Sequence, residues 1–83
     1  MNDIRLGPIE TRFANLIWDN EPLSSGALVK LCEQALRWKK STTYTVLRRL
    51  CQRGLFQNDG GTVRSLLSKN DFYALQSETF VQE

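Results

Sequence analysis

Apolar positions along the chain follow a helical period three times before they change to an extended one. Ile9, Phe13, Leu16 and Ile17 recur at i, i+4, i+7 and i+8, the stripe of a helix with one buried face. Gly7-Pro8 ahead of Glu10 marks its start, since proline at the first helical position has no amide to leave unpaired and an acid in the first turn suits the helix dipole. Asn20-Glu21-Pro22 ends it. Ser24 or Ser25 can accept from the free amides of a second helix, in which Leu28, Leu31, Cys32, Ala35 and Leu36 repeat the stripe. After a break at residues 37 to 40, Thr43, Val46, Leu47 and Leu50 mark one face of a third helix, and Gly54 tolerates the left-handed backbone of a helix end.

Beyond Gly54 the residues Leu55-Phe56-Gln57 and Thr62 to Ser68 read as two short strands joined at Asn58-Asp59-Gly60-Gly61. Two consecutive glycines supply the positive φ angles that a tight hairpin requires. Asn70 or Asp71 can cap a last helical segment holding Phe72, Tyr73, Leu75, Phe80 and Val81. That segment can close over helix one or begin a dimerisation helix; the second is favoured because it ends uncapped and would otherwise expose Phe80 and Val81. No internal repeat, low-complexity stretch or linker divides the chain. The expected fold is mainly α with a small antiparallel β-sheet, residues 1–69 forming the domain and residues 70–83 the truncated start of a C-terminal helix.

Charge changes this picture more than composition does. The net charge is only +2, but residues 37 to 56 hold Arg37, Lys39, Lys40, Arg48, Arg49 and Arg53 with no acid, while the segments on either side each sum to −2. At 100° per residue, Thr43, Val46, Leu47 and Leu50 point one way from helix three. Ser41, Thr45, Arg48 and Gln52 point the other, flanked by Tyr44 and Arg49. Three helices and a terminal hairpin with the cations on helix three make a winged helix-turn-helix domain. The groups on its outer face suit a major groove: arginine can bind guanine O6 and N7, glutamine adenine N6 and N7, and hydroxyls either bases or phosphates. Ser41, Thr42, Thr45, Arg48 and Gln52 are therefore the expected base readers. Lys39, Lys40, Tyr44, Arg49, Arg53 and Arg64 are the expected phosphate contacts.

Composition removes the competing classes. A chain of 83 residues is one small domain, and Leu, Ile, Val and Phe make 23 of them, enough to fold. Its purely apolar runs, such as Leu16-Ile17-Trp18, are far too short to cross a bilayer, so a cytoplasmic protein without membrane contact is expected. Two cysteines, Cys32 and Cys51, with no histidine provide neither a disulfide framework nor a four-ligand zinc site, so no metal or cofactor is expected. Both cysteines lie on or beside apolar faces, where a free thiol acts as a small apolar group. Trp18 and Trp38 read as core plugs at helix ends. The absence of histidine, of a Gly-x-Ser-x-Gly elbow and of a phosphate-cradling glycine loop with lysine argues against an enzyme.

The stretch from Trp38 to Leu55 resembles the recognition helix of the penicillinase-repressor family, the BlaI, MecI and CopY type. The residues that carry the likeness are Trp38, Thr42, Tyr44, Thr45, the pair Arg49-Leu50, and Arg53, Gly54 and Leu55. Leu6 through Trp18, with Glu10 and the closing Trp18, is similar to the family's first helix, and Pro22-Leu23-Ser24 to its entry into helix two, so the likeness runs from about Leu6 to Tyr73. Lys39-Lys40 stands where the family has a small capping residue and proline, and Gly61-Thr62 where its wing has Gly-Arg. The resemblance implies a transcriptional repressor that binds a promoter palindrome on double-stranded DNA as a homodimer, through residues near or beyond 70–83, until an inducing signal removes it. The other reading is a winged-helix protein-interaction module, an adaptor or a competitor of a longer repressor.

Overall fold

The computed structural model describes the backbone from residue 5 to residue 81 and the side chains through Leu75. Its elements are α1 (Pro8–Asn20), β1 (Leu23–Ser24), α2 (Ser25–Leu36), α3 (Lys40–Gln52), β2 (Phe56–Asp59), β3 (Thr62–Ser65) and α4 (Lys69–Val81). The mainly helical winged fold expected from the pattern is the fold observed.

Local chemistry sets the helix ends. The Gly7 amide donates to Glu10 Oε1 at 3.2 Å, closing the first turn of α1. Ser24 is the cap of α2, its Oγ accepting from the Ala27 amide at 3.0 Å. At the other end of α2, Arg37 takes the left-handed conformation with φ 60°, and Arg12 of α1 donates to the Ala35 carbonyl at 3.0 Å. Ser68, rather than Asn70 or Asp71, caps α4: its Oγ accepts from the Asp71 amide at 3.1 Å, so the helix starts two or three residues earlier than the pattern suggested.

Phe13, Ile17, Leu28, Leu47, Leu50, Leu55, Phe56 and Val63 fill the core between the three helices and the sheet. Ile9, on the same stripe as Phe13, stays exposed. Trp18 gathers Phe56, Phe72 and Tyr73 around itself with ring centroids 5.6, 5.3 and 6.4 Å away, and its Nε1 donates to the Leu67 carbonyl at 3.0 Å. Trp38 stacks on Phe13 at 5.4 Å. The first turn of α4 thus closes over α1 through a buried Phe72, while Tyr73 and Leu75 are turned partly to solvent. Phe80 and Val81 have side chains outside the described residues.

The sheet has three strands, in the antiparallel order β1-β3-β2. The hairpin turns on Gly60 and Gly61 alone, at φ 61° and 94°, with Asp59 paired to Thr62. β3 ends at Ser65 instead of running to Ser68, because the Leu66 and Leu67 amides turn to the Leu55 carbonyl, at 2.8 and 3.2 Å. β1 escaped the sequence reading: two residues have no period, and only pairing with β3 makes them a strand.

Glu21 ties this wing to the end of α1. Its carboxylate accepts from the Ser65 amide at 2.7 Å and from the Ser65 hydroxyl at 2.9 Å. Glu21→Ala leaves a half-buried amide without its acceptor, at a cost of about 1–3 kcal/mol. A thermal melt should fall by several degrees, and an unchanged midpoint would show that the clasp contributes nothing.

Candidate nucleic-acid interface

The outer surface of α3 follows from its inner one. Thr43, Val46, Leu47 and Leu50 are buried, which fixes the rotation of the helix about its axis and leaves Ser41, Thr45, Arg48 and Gln52 in a single exposed row. Lys39, Lys40 and Thr42 are exposed at its start. The first turn has neither a side-chain cap on Lys39 nor an acid, so its amides face outward without a protein anion.

The flanking residues separate onto two sides. Toward α2 and the wing, the half-buried Tyr44 donates its hydroxyl to Ser25 Oγ at 3.1 Å, at the first turn of α2. On that side Tyr44, Leu47, Arg48, Cys51 and Asn58 line a shallow cleft between α3 and β2. Toward α1, Arg49 Nη1 lies 3.6 Å from Glu10 Oε2, and Arg53 Nη2 donates to the Arg5 carbonyl at 2.7 Å. Arg64 sits apart from the row, on the middle strand of the sheet. With Val63 turned into the core, its alternation points Arg64 to the opposite face, across from Gln57 and diagonal to Asp59. An acid therefore accompanies the one cation of the wing strand.

Sequence reasoning missed two participants. Ser25 is distant in sequence from Tyr44, and Glu10 was legible only as a helix-start acid; that it reaches α3 depends on how α1 packs. Burial pushes both thiols up, Cys32 against a neighbouring Thr43 hydroxyl and Cys51 against a hydrogen bond from the Asn58 backbone, so both stay protonated at neutral pH. Among the described residues no helix is long and apolar enough to cross a membrane, and no cluster of three or more acids or cysteines could hold a metal ion.

A short β-hairpin following three helices, with the third helix presenting a polar and cationic face free of acids, defines a winged helix-turn-helix protein of the nucleic-acid-binding class. The family model of the penicillinase repressor matches residues 6–83, and the chain belongs to that family of DNA-binding transcriptional repressors. No curated protein matches the chain.

Proposed function

We propose that α3 enters the major groove of a promoter palindrome, and that two copies joined through α4 and the residues around it occupy the two half-sites. Residues 1–69 form the DNA-binding unit in this reading, and residues 70–83 begin the dimerising one. Ser41, Thr42, Thr45, Arg48 and Gln52 read base edges, while Lys39, Lys40 and Arg64 meet phosphates. Tyr44, held by Ser25, presents its ring edge to the backbone at the side of the groove, and Arg53 adds a cation on the α1 side. The observation that carries the reading is the exposed row on α3, aimed outward by a buried face and continued by an acid-free, uncapped helix start. The exposed Tyr73 and Leu75 on α4 supply apolar surface for a second copy. Two protonated thiols suit a reducing cytoplasm.

Two substitutions separate the roles. Arg48→Ala should cost about 1–3 kcal/mol on the preferred duplex and relax sequence preference, because a bidentate contact to a base is lost. Lys40→Ala should weaken all duplexes by a similar factor, because a phosphate contact carries no sequence information. Titration against selected and random duplexes measures both, and the opposite pattern would contradict the assignment. A protein that retards no duplex even at low salt would favour docking on an acidic protein partner instead.

A further inference from the structure

Glu10 pairs with Arg49 at the edge of the proposed DNA face, and the structure gives it two tasks. Its Oε1 accepts from the Gly7 amide at 3.2 Å, and its Oε2 faces Arg49 Nη1 at 3.6 Å. The carboxylate is three-quarters buried, at 24% exposure, while the Arg49 side chain is 56% exposed. An acid anchored by the helix start holds its position at little further entropic cost, so the pair forms around Glu10 and Arg49 is the partner that swings. On the helical wheel Arg49 lies beside the outward row of Ser41, Thr45 and Arg48, near enough to its edge for a long side chain to reach a backbone phosphate.

We infer that Glu10 is a positioning residue that acts as an internal counterion, holding Arg49 against α1 and keeping one cation per subunit out of the phosphate contacts. This rests on the DNA reading above and deepens it. A phosphate drawing Arg49 away would leave the Glu10 carboxylate unpaired beside the DNA backbone, so like-charge repulsion opposes the exchange. The pair therefore stays neutral toward DNA, and affinity for any sequence is set lower than the count of cations on α3 suggests.

The test is Glu10→Gln in the full chain. Glutamine keeps the oxygen that accepts from Gly7, so α1 retains its start while the negative charge is lost. Binding to random duplex is measured by titration across about 50 to 200 mM salt, where one additional released counterion per subunit steepens the fall by roughly 3.5-fold. The expected result is tighter random-duplex binding at low salt, with the log–log slope more negative by up to about 0.9 per subunit. Arg49→Gln should move both quantities the other way, because it bares the carboxylate, and Glu10→Gln with Arg49→Gln should return the slope to that of the unaltered protein. A role in stability alone would shift a thermal melt and leave these slopes parallel. If the unaltered protein binds and Glu10→Gln leaves slope and random-duplex affinity unchanged, the counterion role is overturned and the DNA reading survives. If the unaltered protein retards no duplex at about 50 mM salt, both are overturned together.

Discussion

Raising the salt concentration from about 50 to about 200 mM should weaken binding of a dimer to its operator by roughly 10³ to 10⁵. The figure follows from the cations that face outward. Lys39, Lys40 and Arg64 are exposed, Arg53 adds a cation on the α1 side, and the first turn of α3 offers unclaimed amides, which gives about 3 to 5 phosphates neutralised per subunit. Each releases a condensed counterion on binding, so two subunits give a log–log slope of roughly −5 to −9. The total charge of +2 would suggest a much flatter dependence, and the difference arises because the negative residues lie mostly on other segments. A fluorescence-anisotropy titration at several salt concentrations measures the slope directly. A value near zero would exclude electrostatic docking of this face.

Phe56→Ala should lower stability by about 3–5 kcal/mol, a large part of what a domain of this length possesses. Phe56 opens β2, is 1% exposed, and places its ring 5.6 Å from Trp18, which in turn holds Phe72 of α4 and donates to the Leu67 carbonyl. Removing the ring leaves a cavity where the wing, α1 and the start of α4 meet, and the loss spreads because the neighbours share that contact. A thermal melt followed by tryptophan fluorescence should drop by more than roughly 10 °C. Leu75→Ala, at a 41% exposed position, should move it little. Equal shifts for the two would mean that the aromatic cluster is not the joint described.

Most of the fold was legible because its signals are local. The stripe on α3 named Thr43, Val46, Leu47 and Leu50 as its inner face, and those four are the ones buried. The paired glycines marked the hairpin turn, and both have positive φ. What escaped was mostly non-local: β1 exists only by pairing with β3, and the end of β3 is set by the Leu55 carbonyl, which frees Ser68, read from the pattern as strand, to cap α4 in place of Asn70 or Asp71. The aromatic tail shows both behaviours, since one helical turn packs its Phe72 under Trp18 while Tyr73 remains at the surface.

The candidate interface divides along the same line. The sequence by itself determined which residues could form the outward row of α3, because a helix with one apolar face has only one opposite face, and it determined that no acid lies on that helix. Only the tertiary structure decided what the flanks do. Packing of α1 brings Glu10 to Arg49 and the Arg5 carbonyl to Arg53, and packing of α2 brings Ser25 to Tyr44. The physical reason is range: backbone periodicity is fixed within a few residues, whereas a charge feels whatever the fold carries to within a few ångströms of it, and for Arg49 that is an acid 39 positions earlier in the chain.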